Sequence, residues 1–117
     1  MNKVGETYQR PWGNYKVLAI EDNCQVKLIT VNSNQRLSLQ KHFKRKEHWF
    51  VIQGTFKVQI GEDIHELSSG QSVDIPINTI HRMANEAETP SSLIEIQIGS
   101  YLGEDDIVRL EDDYGRK

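Results

Sequence analysis

The chain has 117 residues, 37% hydrophobic and 26% charged, with a formal net charge of −3. That is the length of one domain, here spanning residues 1–117, with apolar residues enough for a core, and it lacks the basic field that nucleic acid demands. No apolar run approaches the ~20 residues of a membrane-crossing helix, the first ten residues hold no leader-like stretch, and the single Cys24 has no internal partner, so a cytoplasmic protein without membrane contact is expected.

In chain order the sequence reads as short strands between turn signals. Residues 24–31 (CQVKLITV) are rich in β-branched side chains, and the polar residues 32–35 form a turn. Residues 36–42 alternate, with Leu37 and Leu39 on one face and Ser38, Gln40 and His42 on the other. Lys41, Lys44, Arg45 and Lys46 make a short basic cluster of local meaning. Residues 47–53 are aromatic and β-branched and end at Gly54. Residues 55–60 alternate cleanly, residues 61–63 turn the chain, and residues 64–67 return it. A second turn at residues 68–70 leads to a strand over 71–75, stopped by Pro76. Residues 92–98 (SLIEIQI) are the last strong strand. Residues 104–117 set Ile107, Val108 and Leu110 among charges, as either a short amphipathic helix or a solvated acidic tail. Many short strands at this spacing predict an all-β sandwich or barrel.

Two stretches carry chemistry. Gln40 and His42 lie two apart on a strand and share a face; Glu47 opens the next strand and can return to it. His81 stands just beyond the Pro76 turn, where a new strand starts. An amide oxygen, two imidazoles and a carboxylate suit a borderline divalent cation: Zn²⁺ first, with Mn²⁺, Co²⁺ and Fe²⁺ compatible. Four protein ligands leave open positions on a five- or six-coordinate metal, as catalysis requires.

These spacings resemble the two motifs of the cupin superfamily: Gln40-x-His42, Glu47 and Gly54 in the first half, Gly70, Pro76, His81 and Asn85 in the second. Gln40 stands where the first cupin His is usual, and Asn78 where a Gly is usual; Asn is the next-best residue for a left-handed turn. Further blocks resemble type II mannose-6-phosphate isomerases: Arg10-Pro11-Trp12-Gly13-x-Tyr15, Leu37-Ser38-Leu39-Gln40, Glu47-His48-Trp49 and Gly103-Glu104-Asp105-Asp106-Ile107-Val108-Arg109. The resemblance runs over residues 10–116. It implies a double-stranded β-helix (jelly-roll barrel) with a short C-terminal helical or irregular segment. In many members this domain follows a mannose-1-phosphate guanylyltransferase domain, so nucleotidyl transfer is not expected of this chain. Phe43 and Lys44 replace His residues often found after His42, and Lys44 borders the site.

The resemblance implies interconversion of mannose 6-phosphate and fructose 6-phosphate by a metal held at Gln40, His42, Glu47 and His81. Glu95, His48 and Glu47 are candidate bases for the C2-to-C1 proton shift. Glu47 is taken by the metal, and His48 points to the opposite face of its strand, toward a structural role or a subunit contact. Glu95 alternates with Ile94 and Ile96, so it faces either solvent or the pocket, the pocket being favoured, and Gln97 shares its face to orient hydroxyls. Arg109, in the block most particular to the family, is expected to hold the phosphate, with Lys44, Arg45, Arg36 and Arg82 as weaker candidates. Trp49 is expected inside the barrel; Trp12 and Tyr15 cover a barrel end or a neighbouring subunit in a homodimer. The competing readings are a non-catalytic carbohydrate-binding or sensor cupin, an iron oxygenase, or a metal-free epimerase, the last disfavoured by the intact ligand set.

Overall fold

The computed structural model describes residues 1–116, which form eleven strands and no helix. The strands are β1 (Thr7–Arg10), β2 (Gly13–Glu21), β3 (Cys24–Val31), β4 (Leu39–Lys41), β5 (Arg45–Gln53), β6 (Thr55–Ile60), β7 (Asp63–Ser68), β8 (Ser72–Ile75), β9 (His81–Ala84), β10 (Ser91–Gly99) and β11 (Val108–Glu111). Two antiparallel sheets result, ordered β1-β2-β3-β10-β5-β8 and β11-β4-β9-β6-β7. Turn chemistry sets the connections. Gly54 has φ +77°, and a Cβ there would lie 2.4 Å from Ser91 Oγ, so glycine alone fits between β5 and β6. Asn78 adopts φ 58°, the left-handed turn expected of it, and its N–H donates to the His42 carbonyl at 2.8 Å.

Register divides the barrel interior into a dry end and a polar end. On β10, Leu93 pairs with Ile29 and Val51; two residues on, Glu95 pairs with Lys27 and Trp49, and Gln97 with Gln25 and Glu47. Period-two alternation sends all of these inward. The dry end collects Val31, Val51, Phe56, Val58, Met83 and Leu93, all buried. The polar end buries His42, Glu47, His81, Glu95 and Gln97.

The structure departs from expectation in four places. β1 and β2 were not foreseen: on β2 the inward Tyr15 and Val17 alternate with an outward face that is itself apolar at the exposed Leu18 and Ile20, so polar and apolar residues do not alternate in the sequence. Residues 36–42 keep their parity, but only Leu39–Lys41 is a strand, with an isolated bridge from Arg36 to Ala84. The short C-terminal helix is absent: Val108 and Arg109 instead pair with Lys41 and Gln40 as β11, covering the free edge of β4. Trp12 and Tyr15 are 5% and 4% exposed and lie inside the barrel, so neither presents its ring to a neighbour.

Candidate metal centre

His42, Glu47 and His81 converge at the polar end, and their ligand atoms all lie within 4.8 Å of one another. His42 Nε2 is 3.2 Å from Glu47 Oε2, and His81 Nε2 is 4.0 Å from Glu47 Oε1. The other nitrogens fix the tautomers. His42 Nδ1 lies 2.6 Å from the Asp106 carbonyl and His81 Nδ1 2.8 Å from the Thr79 carbonyl. A carbonyl only accepts, so each Nδ1 carries the proton and each Nε2 turns a lone pair inward. That is the arrangement of metal-ligating histidines. His81 Nε2 is buried with no hydrogen-bond partner, an orphan that a cation would satisfy.

The charges fit the same reading. Burial, and next the Arg45 cation, lower the His42 imidazole to about 4, so it is neutral and free to ligate near pH 7. Burial, the largest single effect, raises the Glu47 carboxyl, but the Arg45 charge together with His81 and the hydrogen bonds to Glu95 and Trp49 outweighs it and holds Glu47 below its ordinary value. Glu47 accepts from Trp49 Nε1 at 2.9 Å and from Arg45 Nε at 2.8 Å. Arg45 Nη2 also lies 3.3 Å from His42 Nε2, so a guanidinium stands where the cluster calls for positive charge. Gln40 sits beside them, its Nε2 3.4 Å from His42 Nε2 and its Oε1 accepting from Ser38 Oγ at 2.6 Å. Rotating that amide would turn its oxygen to the cluster, and the Ser38 hydroxyl can serve either amide atom. The four expected ligands are thus together, and their chemistry fits a borderline divalent metal.

Asp106 holds this centre from outside. Its carboxylate accepts from the backbone N–H groups of Phe43 and Lys44 at 3.0 and 2.9 Å, while its carbonyl orients His42. Asp106→Ala is expected to weaken Zn²⁺ binding roughly tenfold to a hundredfold, the usual effect of an outer-shell partner. Calorimetric titration against a circular-dichroism control checks it; unchanged affinity would mean the loop positions itself without Asp106.

Next to the metal centre opens a cleft of about 130 Å³. Gln40, His42, Arg45 and Glu95 line one side, and Arg10, Lys27, Arg109 and Arg116 add cations. Glu95 is buried, accepting from Gln97 Nε2 at 2.6 Å. Burial, and next the Glu47 charge, raise its carboxyl. The two carboxyls are thus pushed apart, Glu47 downward and Glu95 upward. Gln97 lies behind Glu95, its Oε1 accepting from Gln25 at 2.8 Å, and does not line the cleft. Lys44 is exposed against the Tyr101 ring, also outside it. His48 faces outward and pairs with Asp74 at 2.7 Å.

The cations differ in their partners. Lys27 pairs with Glu104 at 3.0 Å, and Arg116 with Asp112 at 2.9 Å. Among the described residues Arg109 makes no ion pair, and its buried Nε has no hydrogen-bond partner. Arg10, Lys27 and Arg116 went unnoticed in the sequence. Lys27 alone left a signal, a lysine in phase with the inward Ile29 and Val31. A larger groove of about 400 Å³ lies on the outer face of the five-stranded sheet, but its Arg36 and Arg82 are paired with Asp113 and Glu111.

The two-sheet antiparallel barrel with a His/Glu/His cluster at its polar end has the cupin fold. An RmlC-like cupin from Shewanella frigidimarina superposes with a TM-score of 0.74 at 19% identity, covering 86% of this chain and 87% of that one. The sequence places it further: the model of the family described as "Mannose-6-phosphate isomerase C-terminal" matches residues 1–112, and the chain belongs to that family. It is 51% identical over 107 residues to the xanthan biosynthesis protein XanB of Xanthomonas campestris, covering 92% of this chain and 23% of XanB. It is 45% identical over 115 residues to the mannose-1-phosphate guanylyltransferase of Escherichia coli, covering 98% of this chain and 24% of the relative. The chain therefore spans under a quarter of the length of these relatives.

Proposed function

We propose that the chain is a metal-dependent aldose–ketose isomerase that interconverts mannose 6-phosphate and fructose 6-phosphate. The observation that carries this reading is one cleft that brings together His42 of the buried His/Glu/His centre, a carboxyl raised above its ordinary value, and an arginine without an ion pair among the described residues. Family membership supports the choice of substrate. Gln40, His42, Glu47 and His81 would hold the metal, Zn²⁺ first and Mn²⁺, Co²⁺ or Fe²⁺ as alternatives. When bound, it supplies a Lewis acid that polarises the sugar carbonyl.

The rest falls to the protein's own side chains. Glu95 takes the proton from C2 of the open-chain aldose and returns it at C1. A carboxyl raised toward neutrality suits both halves of that shuttle. Gln97 holds the Glu95 carboxyl in place rather than touching the sugar. Arg45 sets its cation against charge developing on the sugar oxygens, while Arg109 binds the phosphate. Lys44, at the outer margin, is left with at most a contact to the entering sugar. A phosphorylated-sugar substrate and a single thiol fit the cytoplasm.

The test is a coupled assay of mannose 6-phosphate conversion on purified protein, with chelator and with added Zn²⁺, Mn²⁺ or Co²⁺. Chelator-sensitive turnover is expected. No turnover by protein that binds metal would leave a carbohydrate-binding cupin. Glu95→Gln is expected to lower kcat by about 10²–10⁴-fold, the usual contribution of a general base, with metal content unchanged. Near-normal turnover would remove Glu95 as the base.

A further inference from the structure

Lys27 is a cation inside a barrel wall. It lies on β3 in phase with the inward Ile29 and Val31, and only 4% of it is exposed. Lysine is almost never buried so completely unless its charge is matched. The match comes from the rim: Nζ donates to Glu104 Oε2 at 3.0 Å, and Glu104 is a half-exposed side chain of the loop between β10 and β11. Nζ also stands 4.2 Å from the centre of the Tyr15 ring. An ammonium has three N–H donors. Glu104 takes one and the Tyr15 face can take a second; among the described residues no other acceptor holds the third. Lys27 lines the metal cleft.

Register adds a second observation. Lys27 lies directly opposite Glu95 in the β3–β10 pair, and side chains so placed on one face have Cβ atoms only ~5 Å apart. A lysine and a glutamate at that distance ordinarily join. These two do not: Lys27 pairs with Glu104, and Glu95 accepts from Gln97. The ammonium and the carboxyl therefore stand apart, and both face the same cleft.

We propose that Lys27 is a catalytic residue whose ammonium donates to the sugar oxygens at C1 and C2, across from Glu95, and that Glu104 is the positioning residue that aims it. This rests on the isomerase reading. Negative charge builds on those oxygens as the carbon-bound proton leaves, and a buried, preplaced donor gives its largest benefit at that moment. Lys27 keeps its own proton throughout. Glu104 and the Tyr15 ring hold a stem that is otherwise flexible.

The rival account is a clamp, in which Lys27 and Glu104 only tie the loop to the barrel; it predicts equal losses on removing either partner. Lys27→Met keeps an unbranched stem on the Tyr15 ring and is expected to lower kcat for mannose 6-phosphate by about 10²–10³-fold, the usual cost of one transition-state donor. Metal content, melting temperature and the inhibition constant of inorganic phosphate are expected to stay unchanged. Glu104→Gln leaves an amide oxygen to accept from Nζ and is expected to lower kcat by less than about tenfold. Equal losses in the two variants, or a lowered melting temperature in Lys27→Met, make the pair a clamp and overturn the proposal. A phosphate inhibition constant that rises in Lys27→Met puts the ammonium on the phosphate and overturns it as well. Wild type that binds metal without turnover fails the isomerase reading and the proposal together, whereas a Lys27→Met protein with wild-type turnover fails the proposal alone.

Discussion

His81→Ala is expected to abolish isomerase activity and to weaken metal binding by more than ~100-fold, beyond the 10–100-fold that outer-shell partners contribute. The reason lies in what His81 does without metal. Its Nδ1 is spent on the Thr79 carbonyl, while its Nε2 is buried with no partner. A buried acceptor left unpaired costs about 1–3 kcal/mol, so the folded chain retains this nitrogen at a disadvantage that only a ligand removes. Removing the ring costs its edge contact with Trp49, 5.5 Å between centroids, but relieves the orphan. Metal-free wild type and variant are therefore expected to melt within a few degrees of each other. With metal they diverge, because metal at 100 times its Kd stabilises the wild type by about 2.7 kcal/mol and the variant hardly at all. Metal content after dialysis and paired melting curves decide it. Unchanged metal content in the variant would sink the ligand assignment.

How much of this centre could be read from residue order depends on whether each residue's role is local. Gln40 and His42 share a face because they are two apart on an extended chain, and Ser38 and His42 are indeed buried together. Asn78 takes a left-handed turn because its own side chain tolerates one. Trp49 and His48 separate onto opposite faces by parity alone. The cleft's cations are another matter. Arg10 comes from β1, Lys27 from β3, and Arg109 and Arg116 from the C-terminal segment. They meet only because β11 crosses back to β4, a pairing with no local signal: Val108 to Glu111 is too short and too charged to announce itself as a strand. Gln97 shows a further limit. Parity placed it on the Glu95 face correctly, but only the register of β10 against β3 shows Gln25 occupying its other end.

Arg109→Ala is expected to raise the Michaelis constant for mannose 6-phosphate by about 10–100-fold, the equivalent of one charge-assisted hydrogen-bonded contact of about 1.5–3 kcal/mol. Stability should move the other way. Burial, and next the neighbouring Arg116 cation, lower the Arg109 guanidinium below its ordinary value. Arg116 is itself neutralised by Asp112, whose carboxyl its hydrogen bonds hold down to about 2. Among the described residues Arg109 has no such ion pair, and the more distant Asp112 and Glu104 charges only partly offset its burial, so in the free protein it is a partly desolvated charge without a hydrogen-bonded anion. A structural arginine would cost stability when truncated; one kept for an incoming dianion would not. Arg109→Ala should melt at the same temperature as the parent or above it, while inorganic phosphate, as a competitive inhibitor, loses affinity in proportion to the rise in the Michaelis constant. Arg109→Lys keeps the charge without the bidentate fork and should fall between the two. A lowered melting temperature with an unchanged Michaelis constant would make Arg109 a structural residue and move the phosphate to Arg10, Lys27 and Arg116.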